Sequence, residues 1–143
     1  MSVAVREFRS NDCAEVLRLW ERAEGIGLSD ADSPDGIGSF LDRNPGLSVV
    51  VVDGGALIGT LLCGHDWRRG LIHDLVVRAS RRRRGLGRQL VHRALAAHCE
   101  QGIAKCHLLV LRDNAQVRGF WQGIGGEEHT SLTAFSRATR TSH

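Results

Sequence analysis

Leu75-Val76-Val77 runs directly into Arg78-Ala79-Ser80-Arg81-Arg82-Arg83-Arg84-Gly85-Leu86-Gly87-Arg88, and this stretch decides how the 143-residue chain is read. A β-branched apolar run ends in a basic, glycine-containing loop. Beyond it, Leu86, Leu90, Val91, Ala94, Leu95 and Ala97 recur at helical spacing and predict an apolar helix face through Gln101, with Gly102 as its cap. The pattern is strand, loop, helix. A helix N-terminus offers unpaired N–H groups and about half a positive charge, so it attracts anions. Gly85 and Gly87 let a phosphate approach the backbone, and the arginines add charge-assisted hydrogen bonds. A P-loop is excluded, because both its spacing and its lysine are missing. A dinucleotide fingerprint is also excluded, because Leu90 stands where the third glycine belongs. The arginine run could instead lie on a nucleic-acid backbone. No aromatic stacking pattern accompanies it, so nucleic acid is not the expected partner.

Upstream of the loop, Leu71 to Val77 predicts a central strand, apolar except for His73 and Asp74, entered from a turn at Trp67-Arg68-Arg69-Gly70. Leu47 to Val52 and Ala56 to Cys63 flank Asp53-Gly54-Gly55, a strong hairpin signal. Val3 to Phe8 predicts the first strand. Ser10, Asn11 and Asp12 offer N-caps, with Asp12-x-x-Glu15 as a capping box, for a helix carrying Val16, Leu17, Trp20 and Ala23 and stopping at Gly25. Ser33-Pro34 opens a short second helix that ends before Pro45. Downstream, Lys105 to Leu111 predicts a strand, Ala115 to Gly123 a helix, and Glu127 to Arg137 a last strand. The order is β-α-α-β-β-β-α-β-α-β. Without an internal repeat or linker, residues 1–143 are expected to form a single α/β (α+β) domain.

Composition sets limits. At 42% apolar and 24% charged the chain has the balance of a globular protein, not of a disordered or fibrous one. No apolar run approaches the roughly 18–20 residues needed to span a bilayer. The start Met1-Ser2-Val3-Ala4-Val5-Arg6 lacks the pattern of a secretory signal, so a cytoplasmic setting without membrane contact is expected. Cys13, Cys63, Cys99 and Cys106 form no C-x-x-C pair. His98-Cys99 and Cys106-His107 fit no common zinc spacing, so no metal is expected. The net charge of +3 conceals an asymmetry. Residues 1–66 hold 11 acids and 5 bases, while residues 67–143 hold 5 acids and 14 bases. The chain has no tyrosine.

Arg82-x-x-Gly85-x-Gly87 matches the [QR]-x-x-G-x-[GA] pyrophosphate loop of the GCN5-related N-acetyltransferases, and its surroundings match too. Leu75-Val76-Val77 stands where that family has its L-A-V-like strand. Asn114-Ala115-Gln116-Val117-Arg118-Gly119-Phe120-Trp121, followed by Gly125-Gly126, resembles the family's N-x-x-A-x-x-F-Y-x-x-x-G-F helix. The order of elements is similar over nearly the whole chain. Leu19-Trp20-Glu21-Arg22 and the short length resemble the small YpeA-like bacterial branch. The resemblance implies a mixed, mostly antiparallel sheet with a splayed fourth and fifth strand pair, flanked by about four helices. It implies acetyl transfer from acetyl-CoA to an amine by direct attack in a ternary complex. Backbone groups of Leu75, Val76 and Val77 would pair with the pantetheine arm. Amides from Arg82, Arg83, Arg84, Gly85, Leu86, Gly87 and Arg88 would hold the pyrophosphate. Asn114 and Phe120 would line the thiol end, and the Val77 N–H or one beside it would polarise the thioester. A monomer and a homodimer are both compatible with it.

The chain departs from the family pattern in several places. Ala79 and Arg81 replace the usual proline and aromatic of the loop, and Gly126 replaces the terminal aromatic. Trp121 occupies the position of the tyrosine that protonates the leaving thiolate in many relatives, and indole is no general acid. Water protonation, unassisted thiolate departure, and an acyl-CoA-binding regulatory or degenerate domain without efficient turnover all stay open. His73 is the first candidate base. It aligns with one of two strand histidines serving serotonin N-acetyltransferase, the other position being Leu71 here. Asp74 is the weaker candidate, since it lies on the opposite strand face unless a bulge intervenes. A polar residue tolerated at the splay is the competing role for both. His107 is expected to be structural, Trp20 to lie in the core and Trp67 in a turn. The acidic segment Glu24 to Asp42 is either a solvated loop or the border of a site for a cationic acceptor.

Overall fold

The Asp-Gly-Gly signal folds as a tight hairpin. Strand β2 (Val49–Asp53) returns as β3 (Ala56–His65) through Gly54 and Gly55, both at positive φ (59° and 84°), the twist that suits a two-residue loop. Strand β1 (Val3–Glu7) pairs antiparallel with β2, and β3 pairs antiparallel with β4 (Gly70–Val77). Strand β5 (Cys106–Leu108) joins β4 in parallel, so the order is β1-β2-β3-β4-β5. This computed structural model describes residues 3–23 and 28–140. Gly25, the expected stop of the first helix, and Glu24, where the acidic segment begins, lie outside the described residues, and the helix itself ends at Glu21, short of Ala23.

Helix α1 (Cys13–Glu21) follows a one-turn helix at Ser10–Asp12. The expected Asp12/Glu15 capping box does not form. Asp12 accepts from Arg9 N at 2.9 Å and from both terminal nitrogens of Arg6 at 2.9 Å, while Glu15 accepts from Leu57 N at 3.1 Å. The carboxylates answer tertiary donors, so Glu15 ties α1 to β3. Helix α2 (Pro34–Arg43) starts as predicted, with Ser33 Oγ accepting from Gly36 N at 3.0 Å and Pro34 at the first position.

Trp20, Val16, Ile37 and Phe8 from the α1 and α2 side share a buried cluster with Val50, Leu57, Leu62 and Val76 of the sheet. Alternation leaves Val49, Val51 and Leu61 to the other face, and helix α3 (Leu86–Glu100) packs against β3 and β4. A sheet covered on both faces explains the unbroken valine run of β2. Leu90, Val91 and Ala94 of α3 are buried as predicted, but Leu95 is 42% exposed, and the fourth buried residue of this helix is His98. Its Nδ1 and Nε2 face the carbonyl oxygens of Ala94 (2.7 Å) and Gly64 (3.2 Å), which is how a polar ring can sit in the core.

The chain divides into two compact units, Met1–Leu111 and Arg112–His143. The sheet and the first three helices belong to the first unit. The second contains helix α4 (Ala115–Gly123), capped as predicted by Asn114, whose Oδ1 accepts from Val117 N at 3.1 Å. The last strand expected at 127–137 is absent from this unit. Those residues are coil, with Leu132 66% and Phe135 93% exposed, so no face of the segment is buried to reward pairing. The fifth strand is also shorter than the predicted Lys105 to Leu111. Its ladder ends at Ile72↔Leu108, directly before an irregularity in β4. No helix among the described residues is long and apolar enough to cross a membrane.

Candidate active site

The loop after β4 is attached to the sheet by its own arginines. Arg78 N donates to Ile58 O at 2.8 Å, Arg78 Nη2 to Leu57 O at 3.1 Å, and Arg82 Nε to Val77 O at 3.1 Å. A one-turn helix at Ala79–Arg81 leads into two left-handed residues, Arg83 (φ 66°) and Gly85 (φ 79°). Gly85 takes that conformation without steric cost, whereas Arg83 adopts it against a penalty of about 1–2 kcal/mol. Left-handed residues interspersed in such a loop turn successive N–H groups toward one point, the geometry of an anion nest. Helix α3 begins at Leu86, and its first turn closes with Gln89 N donating to Gly85 O at 3.1 Å. The amides of Leu86, Gly87 and Arg88 precede that bond and are the donors a helix start leaves open. Among the described residues, the side chains of Arg83, Arg84 and Arg88 have no hydrogen-bond or ion-pair partner.

Upstream in the same strand, the β3–β4 register passes from Leu62↔Asp74 to Cys63↔Ile72. His73 is therefore the extra residue of a bulge, which breaks the regular alternation between it and Asp74. The His73 ring stays exposed at its edge and meets Phe40 of α2 edge-on, with centroids 5.1 Å apart. That packing desolvates it and holds its pKa below the usual imidazole value, with the charge of Asp32 partly opposing. Asp74 is half-buried, and its carboxyl is pushed up to about 6, first by burial and then by Asp32. Asp32 itself accepts from Ser29 N at 2.9 Å in a one-turn helix before α2. The structure thus groups His73, Asp74 and Asp32. The sequence named the first two and treated Asp32 as one of several loop acids.

Past Leu108, β5 no longer accompanies β4, so Leu75, Val76 and Val77 pair only with Leu61, Thr60 and Gly59 of β3. Among the described residues no strand pairs with their other side, and an extended partner can join such an edge by strand addition.

In the second unit, Asn114 Oδ1 caps α4, which leaves its amide NH₂ as the free end of the side chain. Phe120 and Trp121 are half-buried and meet edge-on, with ring centroids 5.3 Å apart. Gly126 N donates to Trp121 O at 2.7 Å, and a Cβ on Gly126 would also come within 2.7 Å of that oxygen. The glycine in place of an aromatic is thus a steric requirement of this turn.

The other residues singled out in the sequence are accounted for by packing. Trp20 is fully buried and donates to Thr60 Oγ1 at 2.8 Å, while Trp67 is 74% exposed in its turn. Cys13 and Cys63 are buried, Cys106 is half-buried and Cys99 is exposed. Burial pushes the Cys63 thiol up to about 12. His98 is buried with its ring nitrogens facing the carbonyl oxygens of Ala94 and Gly64. His107 is half-buried on β5, opposite Leu71 of β4.

Comparison with known proteins bears on this arrangement. The sequence model of the acetyltransferase (GNAT) family matches residues 13–125. The chain is 30% identical over 133 residues to "Acetyltransferase ECA0875" of Pectobacterium atrosepticum, covering 93% of this chain and 94% of that protein. Its fold is similar to that of the PaiA N-acetyltransferase of Thermoplasma acidophilum, solved in complex with coenzyme A (TM-score 0.77, 18% identity, 87% and 89% of the two chains). It is also similar to AAC(6')-Iy, solved with the bisubstrate analog CoA-S-monomethyl-acetylneamine (TM-score 0.75, 19% identity, 98% and 100% of the two chains).

Proposed function

This chain belongs to the acetyltransferase (GNAT) family, and from that membership we propose that it moves an acetyl group from acetyl-CoA to the amine of a small molecule, peptide or protein. The observation that carries the reading is the loop at Arg82–Arg88, where left-handed residues, the open first turn of α3 and unpaired arginines converge. Such a site suits a pyrophosphate, because N–H donors and cations there require no rearrangement to meet a dianion. On this reading residues 1–143 act as one acyl-CoA-binding domain in the cytosol, and no metal takes part.

The edge at Leu75–Val77 would hold the pantetheine arm in extended form, with the Val77 N–H or a neighbour polarising the thioester carbonyl. The acceptor amine loses its proton to His73, which burial keeps neutral at physiological pH and whose exposed edge an acceptor can reach. The amine nitrogen then attacks the carbonyl carbon directly, the C–S bond breaks with CoA departing as its thiolate, and the nitrogen gives up its second proton to that thiolate or to water, leaving the neutral amide. A thiol pKa near 8.5 makes that departure tolerable without an acid, which suits Trp121 at the tyrosine position. Asp74, when ionised, and Asp32 give the acceptor side a negative potential, so a cationic amine is the class favoured.

Thermal unfolding with acetyl-CoA, followed by thiol release across a panel of mono- and polyamines, tests this reading. Acetyl-CoA at a hundredfold excess over its Kd should stabilise the protein by about 2.7 kcal/mol. No shift at millimolar acetyl-CoA overturns the proposal. A shift without thiol release from any amine favours the degenerate or regulatory acyl-CoA-binding domain, for which the missing tyrosine is the specific argument.

A further inference from the structure

The structure assigns Asp53, acting through Arg81, the role of a positioning residue for the phosphate loop, an inference that rests on the acetyl-CoA reading above. Arg81 stands where the family usually has an aromatic, so this device belongs to the present chain. Its Nη1 lies 2.5 Å from Asp53 Oδ2. The Asp53 side chain is 5% exposed and that of Arg81 30%. A carboxylate so buried persists only when a partner compensates its lost hydration.

The two ends of this pair differ in freedom. Asp53 closes β2 immediately before the hairpin, in register with Val3 on one side and Ala56 on the other, so its backbone is fixed by two ladders. Arg81 lies one residue before Arg82 and two before the left-handed Arg83. The other attachments of the loop end on backbone carbonyls of β3 and β4, which any sequence would supply. Among the described residues, the Arg81–Asp53 pair is the attachment that reaches past β3 to β2 and depends on a particular side chain. It therefore sets where the strained part of the loop begins, and so where its amides point.

The pair also divides the charge. Asp53 takes up the guanidinium of Arg81, leaving Arg83, Arg84 and Arg88 as the cations available to phosphate. Arg81 also lines, with Arg84 and Gln89, the cavity beside the first turn of α3. If Asp53 were lost, the freed guanidinium could turn toward that cavity and strengthen anion binding. Positioning and electrostatics thus make opposite predictions for one substitution.

Calorimetric titration with CoA, together with steady-state kinetics of wild type and Asp53→Asn, decides between them. If positioning dominates, the Kd for CoA and the KM for acetyl-CoA rise about five- to twentyfold, while kcat at saturation stays within about twofold and the acceptor KM is unchanged. Arg81→Lys, which keeps the ion pair, should stay within about threefold of wild type, and Asp53→Asn/Arg81→Gln should bind no more weakly than the worse single variant. Unchanged or tighter CoA binding by Asp53→Asn, or a fall in kcat at constant KM, overturns the inference. If circular dichroism shows Asp53→Asn unfolded, Arg81→Gln and Arg81→Lys replace it: weaker CoA binding by Arg81→Gln that Arg81→Lys avoids supports the inference, and CoA binding by Arg81→Gln as tight as wild type overturns it. Wild-type protein that binds no CoA overturns the acetyltransferase reading itself, a result distinct from wild-type binding that Asp53→Asn leaves untouched.

Discussion

Strand β4 serves two regions a few residues apart that are built in opposite ways. At His73 and Asp74 neither side chain has a hydrogen-bond partner among the described residues, and burial shifts both away from their ordinary pKa values, the charge of Asp32 adding to the shift of Asp74 and opposing that of His73. From Val77 to Arg82 bonds are dense: Arg78 and Arg82 hold carbonyls, and Arg81 holds Asp53. The bulge leaves groups free to change protonation, whereas the loop leaves little free to move. Proton transfer needs an adjustable pKa, and pyrophosphate binding needs fixed donors. On the proposed reading one strand meets both demands, because the bulge confines the irregularity to His73 and leaves Leu75 to Val77 in regular pairing with β3.

The sharpest way to break this contrast is to remove the group assigned to proton transfer. His73→Ala should lower kcat/KM by about a hundredfold and flatten the acid limb of the pH profile, which for the native enzyme lies below the ordinary histidine value near 6.5. CoA affinity should not change. An unaltered pH profile would make His73 a packing partner of Phe40 and nothing more.

Asp74 gives an intermediate effect with a defined sign. Its native carboxyl titrates at about 6, above the unfolded value, so the folded state binds the proton more tightly. The group favours folding at pH values below the unfolded carboxylate range and loses that advantage as pH rises toward about 6. Asp74→Asn should therefore stabilise the protein by on the order of 1–2 kcal/mol near neutral pH, after allowance for its partial exposure, and by nothing near pH 3.5. Urea unfolding at the two pH values checks this, and an equal gain at both would remove charge burial from the explanation. A stability gain together with weaker use of cationic amines would mark Asp74 as retained for function.

The smallest effect concerns Trp121. If no acid is needed for thiolate departure, Trp121→Phe should leave kcat within about twofold in a thiol-release assay. A tenfold fall would show that the indole N–H meets the reacting groups, and would place a further donor in the mechanism.

Much of this arrangement was legible in the residues. Asp53-Gly54-Gly55, Ser33-Pro34 and Asn114 each act through near neighbours, so their turn and caps formed where the sequence placed them. The phosphate loop was legible for the same reason, because its glycines and helix start are separated by only a few positions. The misreadings involve long separations. Asp12 and Glu15 matched a local capping pattern, yet Arg6 and Leu57 offered better-placed donors. Alternation from Glu127 to Arg137 suggested a strand, but a strand also needs an edge and a buried face. His98 took the core position expected of an apolar neighbour because folding brings Gly64 O, thirty-four residues away, to its ring, so that a carbonyl acceptor stands ready for the N–H of either tautomer.

The sequence by itself determined the strand–loop–helix unit, the glycines and arginines concentrated in its loop and the absence of any tyrosine, since these follow from residue identity and short-range spacing. Only the tertiary structure decided that β4 bulges at His73, that β5 parts from β4 after Leu108, and that Asp32 charges the same neighbourhood. It likewise decided that Arg81 faces Asp53 instead of solvent. Each of these results from burial and register between distant segments, where the cost of an unpaired charge or an uncovered edge is set by the neighbour that folding brings there.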